Sequence, residues 1–71
     1  MQPHQQRVVT EKQELDEKIA KLKAFIDASE IFKALPLMDR LLLDDQYALM
    51  ILYTRVLGRR IERFDPRDSG A

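Results

Sequence analysis

Two runs of apolar residues at helical spacing, parted by one break around Pro36, constrain this chain more than any other feature. Val8, Lys12, Leu15, Ile19, Leu22 and Ile26 recur at alternating steps of four and three, which lines them up along one seam of an α-helix. Beyond Pro36, Leu43, Met50, Leu57 and Phe64 repeat every seven residues, joined on that seam by Tyr53 and Ile61. Two such helices with a short connection predict an antiparallel hairpin. Leu42, Leu49, Leu52 and Val56 add a second stripe to the second helix, and one partner helix is too narrow to bury both. The expected fold class is therefore all-α: an antiparallel two-helix hairpin that assembles into a helical-bundle homo-oligomer, with Leu42, Leu49, Leu52 and Val56 at the oligomer interface.

Length makes self-association more than a convenience. A chain of 71 residues forms one domain, and a domain this small buries only about 60% of the surface its unfolded chain exposes. It has no Cys, so neither disulfides nor thiolate-bound zinc can add stability, and oligomerisation is the remaining common support. Twelve basic and twelve acidic residues cancel, which argues against a protein that coats DNA, an RNA duplex or an anionic membrane. The balance is uneven along the chain: residues 51–71 hold five Arg against three acids, whereas residues 1–50 hold seven Lys or Arg against nine acids. The polar start Met1–Thr10 does not read as a signal peptide. The apolar run Ala48–Tyr53 is far shorter than the roughly 20 residues of a membrane span, so a cytoplasmic location is expected.

Pro3 fits the first turn of a helix, where its missing N–H costs nothing, and the first helix is expected over about residues 4–28. An alternative start at Thr10, with Gln13 completing a capping box, would leave Val8 off the seam to which it belongs. Glu14–Lys18 and Glu17–Lys21 are expected as helix-surface pairs. The connection spans about residues 29–36, and its Ile31, Phe32 and Leu35 are expected to fold back over the closed end as a plug. The second helix is expected over about residues 37–64. It starts at Pro36 or, after Leu41-Leu42-Leu43, near Asp44. Gly58 costs about 1 kcal/mol relative to Ala and permits close helix approach. Residues 1–64 are expected to form the hairpin domain, and 65–71, opened by Asp65-Pro66, a tail.

Catalysis finds little support. His4 is the sole histidine, the glycines are Gly58 and Gly70, and no Glu-x-x-His spacing occurs, so neither a phosphate-cradling loop nor a di-metal bundle site can be built. No enzyme activity and no cofactor is expected. Met38 and Met50 read as core fillers, and Lys12 and Gln46 as polar residues that set register. The sharpest polar pattern is Arg55, Arg59 and Arg63 at steps of four, with Arg60 beside them. Two readings stay open. Basic residues near a helix C-terminus oppose its dipole and pair with nearby acids; alternatively, a hairpin returns them beside His4 and Arg7, and guanidinium forks suit phosphate oxygens. Tyr53 is either a core residue with a bonded hydroxyl or a platform on which a base stacks.

Taken together, Gln6-Arg7-Val8, Glu11-Lys12, Glu14-Leu15, Lys18-Ile19, Lys21-Leu22, Phe25-Ile26, Phe32, Leu35, Leu41-Leu42, Gln46, Met50, Tyr53, Val56-Leu57, Arg60-Ile61 and Phe64 resemble a family of very small proteins of crAss-like and other tailed phages. The likeness covers about residues 6–64. That group is similar to the helical-hairpin domain of phage anti-CBASS and anti-Thoeris sponge proteins, which sequester cyclic nucleotide signals of bacterial immunity. The resemblance implies an oligomer in the host bacterial cytoplasm that binds a cyclic nucleotide messenger without cleaving it. The ligand site expected on physical grounds is Arg59, Arg60 and Arg63 with Arg7 for phosphate, Tyr53 for base stacking and His4 as a lid. The competing expectation is an interaction module that docks on a host or phage protein through the apolar face of the second helix.

Overall fold

The computed structural model describes residues 1–64 and is built from helices: α1 (Pro3–Ala28), α2 (Glu30–Ala34) and α3 (Leu37–Glu62). Local chemistry accounts for each boundary. Pro3 opens α1, and the backbone N–H of Gln2 donates to Oε1 of Gln5 at 2.9 Å. This bond uses the side chain of Gln5, which is buried and needs such a partner. At the other end, Ser29 stops α1 and starts α2: its own N–H reaches the carbonyl of Phe25, while its Oγ accepts from the N–H groups of Ile31 and Phe32. Leu35, extended before Pro36, ends the short helix because the proline ring disfavours helical geometry in the residue before it. The Pro36 carbonyl accepts from Arg40 N–H at 3.1 Å, so α3 is already helical before Asp44. It ends at Glu62, with Arg63 as its cap.

α1 and α3 lie side by side and run in opposite directions. Lys12 meets Gly58, Thr54 bonds to Asp16, and Lys23 and Ile26 share a groove with Asp44 and Tyr47. The register is constant along the contact. Its buried apolar side chains are Val8, Leu15, Ile19 and Leu57, flanked by Tyr47, Met50, Ile51, Ile61 and Phe64. Among the described residues Leu57 is wholly inaccessible, at 0% exposure. The result is a rod of 54 × 15 × 14 Å with a radius of gyration of 16.2 Å, against about 11 Å for a compact chain of this length.

Several sequence-based expectations change. The connection is not bare loop, since it contains α2. Phe32 does pack edge-on against Phe25, ring centroids 5.8 Å apart, but Ile31 is 69% exposed and plugs nothing; one five-residue turn can aim only part of its circumference inward. Tyr53 leaves the α1 seam and stands 46% exposed, because 53 lies three residues from Met50 on the flank away from α1, whereas Tyr47 falls on the side that faces it. Met38 is exposed too. The ion pairs among the described residues are Lys12–Asp16, Lys23–Asp27 and Lys33–Glu30, not Glu14–Lys18 or Glu17–Lys21, whose exposed charges keep their water. The tail expected over 65–71 lies outside the described residues.

Candidate functional site

The core positions the polar groups. Because Val8 and Leu57 belong to one cluster, the start of α1 lies at the same end of the rod as the last turns of α3. His4 and Arg7 therefore share an end with Arg59, Arg60 and Arg63, and all five are exposed. They do not converge on one point. On α3, successive residues turn by 100°, so Arg59 and Arg60 diverge and take up different surroundings.

Arg59 joins a groove of about 430 Å³ lined by Lys12, Thr54, Arg55, Gly58, Arg59 and Glu62. Gly58 makes this groove possible. A Cβ at that position would stand 3.3 Å from Cε of Lys12, so the lysine stem crosses α3 where the missing side chain leaves room. The Lys12 ammonium then bonds Asp16 Oδ2 at 2.8 Å. Asp16 Oδ1 accepts a hydrogen bond from the hydroxyl of Thr54 across the helix pair. Both bonds favour the ionised carboxylate: the lysine first and the threonine second hold Asp16 below its ordinary value, against a small opposing effect of desolvation. Lys23, hydrogen-bonded to Asp27, is shifted up. Beside the pinned Lys12–Asp16–Thr54 bridge the groove presents two guanidinium groups, Arg55 and Arg59, and one acid, Glu62, a surface suited to an anion with more than one oxygen.

Tyr53 belongs to a different surface. It lines a larger groove, about 590 Å³, with Leu42, Asp45, Gln46, Leu49 and Met50. Arg60, seven residues on, follows it along the same side of the helix. Leu42, Leu49, Leu52 and Val56 are all exposed there, Leu49 at 66%. The single set of ligand residues read from the sequence thus divides: Arg59 in the Gly58 groove, Tyr53, Arg60 and the cap residue Arg63 along the outer face of α3, and His4 and Arg7 on α1.

Thr54 and Asp16 were not singled out by sequence reasoning. Their signal was present, since Tyr47, Thr54 and Ile61 repeat every seven residues, which puts the threonine on the inner seam. Arg40 sits near the opposite end, and its Nε is buried and finds no acceptor among the described residues. Among the described residues no group of three or more His, Cys, Asp or Glu could hold a metal ion, and no helix is long and apolar enough to cross a membrane.

No curated protein and no solved structure matches the chain. A family model, Sequestin, matches residues 2–63. That interval takes in α1, α2 and α3, the Gly58 groove, the outer face of α3 and every arginine of its last turns, so the chain belongs to the Sequestin family.

Proposed function

We propose that this protein is a phage-encoded anti-defence sponge: a homo-oligomer of two-helix hairpins that takes a cyclic nucleotide immune signal into pockets between copies and holds it, uncleaved, in the host cytoplasm. The observation that carries the reading is the Sequestin match over residues 2–63, a family named for holding a molecule rather than converting one. The chemistry supports it. Arg55, Arg59, Arg60 and Arg63 gather on the last half of α3, at the end of the rod where His4 and Arg7 begin α1. Guanidinium groups bind phosphate oxygens in a fixed fork, and exposed Tyr53 offers a ring to a base. Capture lowers the free signal by mass action, and it works only when the dissociation constant lies below the signalling concentration.

Titration calorimetry against cyclic dinucleotides, cyclic oligonucleotides and cyclic ADP-ribose isomers tests the proposal, with recovery of the unmodified ligand after heat denaturation. Tight binding of at least one of them is expected. Arg59→Glu with Arg63→Glu should weaken it at least 100-fold without unfolding the chain, since both side chains are exposed. Silence across the panel overturns the reading. A second reading, docking on a host or phage protein, is favoured by the apolar face of α3; a stoichiometric protein recovered in pull-down, with no small molecule released on heating, would support it instead.

A further inference from the structure

We infer that α3 pairs with α3 of a second copy in antiparallel fashion, about a two-fold axis passing near Leu49. The inference rests on the self-association in the proposed function and specifies its geometry. Its first ground is that α3 carries two heptad seams, displaced by one residue. Leu43, Tyr47, Met50, Thr54, Leu57, Ile61 and Phe64 form the inner seam, every member buried or half-buried against α1. Leu42, Gln46, Leu49, Tyr53, Val56, Arg60 and Arg63 follow the same steps of four and three, and every member is exposed. A helix that repeats at this spacing on two neighbouring sides is built to lie between two other helices.

The second ground identifies the occupant. Within α1 no large apolar side chain is exposed, so α1 of another copy offers the outer seam far less apolar surface than α3 does. The charge of α3 is also polarised. Residues 37–49 hold Asp39, Asp44 and Asp45 against Arg40, a net of −2; residues 50–62 hold Arg55, Arg59 and Arg60 against Glu62, a net of +2. Antiparallel pairing sets the acidic half of each copy against the basic half of the other. Parallel pairing sets like on like, which complementary interfaces avoid. With the axis at Leu49, Leu42 faces Val56, Asp45 faces the Tyr53 hydroxyl and Asp39 stands beside Arg60 of the outer seam. Such an interface is self-complementary, as two-fold symmetry demands, and α3 supplies a line of contact about 39 Å long. A stable interface needs about 800 Å² per partner, a modest part of the 5567 Å² that the lone chain exposes.

The pairing also separates the two arginine rows. Arg59 lies ten residues from the axis, so its two copies stand about 30 Å apart along the bundle. Each end then holds its own basic site, and one small ligand cannot span both.

The chain has no native Cys, which allows a clean test by single-cysteine cross-linking under mild oxidation, with sedimentation to give the mass. All the positions used are exposed, so the variants keep the fold. Leu49→Cys is expected to form a covalent dimer alone, Leu42→Cys alone is expected to remain uncoupled, and Leu42→Cys mixed with Val56→Cys is expected to couple. Leu42→Cys coupling to itself as fully as Leu49→Cys does would overturn the antiparallel arrangement, and so would a monomeric mass at tens of micromolar chain. Calorimetry with nucleotides is read separately: a dimer cross-linked through position 49 supports the pairing even where no nucleotide binds, a result that would overturn only the sponge.

Discussion

Replacing Gly58 by alanine sets two effects against each other, and the structure gives a size to both. In a helix interior alanine is favoured over glycine by about 1 kcal/mol, because glycine gives up more backbone freedom on folding. Against this gain, the new Cβ would stand 3.3 Å from Cε of Lys12, close enough that the neighbour must yield by a few tenths of an ångström. That neighbour is the far end of a flexible stem rather than α1 backbone. Its ammonium is fixed by the Lys12–Asp16 pair, whose side chains are 32% and 46% exposed, and a surface pair of this kind is worth about 0–1 kcal/mol. Losing the pair outright would at most cancel the helix gain, whereas a small shift of the stem keeps it.

Gly58→Ala is therefore expected to stabilise the chain by about 0.5–1 kcal/mol, which raises Tm by about 2–8 °C in a domain of this size. Thermal unfolding followed by far-ultraviolet circular dichroism measures it. Wild type and variant must be compared at one chain concentration, since self-association makes Tm depend on concentration. In a Lys12→Ala background the obstruction is gone and the gain should approach the full 1 kcal/mol. A fall in Tm in both backgrounds would refute the reasoning, because it would mean that rigid α1 backbone, not a lysine stem, limits the approach at Gly58.

Two other perturbations test the remaining supports. Leu57→Ala truncates a wholly buried side chain at a cost of about 2–5 kcal/mol, a large share of the roughly 4–11 kcal/mol available to a chain this long; urea titration should show loss of most of the cooperative transition, and a shift below about 1 kcal/mol would mean that the core collapses around the gap. Asp16→Asn probes acid stability: the folded carboxyl is held below its ordinary value of 3.8, so its contribution is fully present above that value and fades as pH falls through the lower folded one. The stability gap between wild type and Asp16→Asn should thus close on acidification from neutral pH, and a gap that does not change with pH would assign the loss to packing instead.

The period of the apolar residues made the helices legible, together with Pro3 and Pro36 as punctuation, because both signals are local. Which flank of α3 turns inward is decided by the partner, and there the repeat of seven had two solutions one residue apart. Tyr53 was read onto the inner seam for that reason, while the inner tyrosine is Tyr47. The short α2 was hidden as well: the Ser29 hydroxyl that starts it serves two N–H groups, yet Asp27-Ala-Ser-Glu30 looks in sequence like a simple weakening of the pattern. Arg59 beside Arg55 was legible from steps of four. Their meeting with Lys12 depended on Gly58 lying opposite it, a juxtaposition that no spacing within either helix encodes.

The build of the rod bears on where capture can occur. The rod is a single pair of helices, α1 packed directly on α3 through the Val8, Leu15, Ile19 and Leu57 core, so the two leave no interior between them. Small-molecule sites bury about 70–90% of their ligand, which requires walls on more than one side. On a single copy the Tyr53 groove has one wall of helix, the Gly58 groove has only Lys12 of α1 opposite α3, and both open outward. A second α3 laid along the outer seam would give the Tyr53 groove its missing wall. It would also set Asp39 of one copy near Arg60 of the other, so the ligand's phosphates would compete with that carboxylate for the guanidinium. Affinity and self-association would then be linked through the same arginine, the first drawing on the groove and the second on the charge polarity of α3.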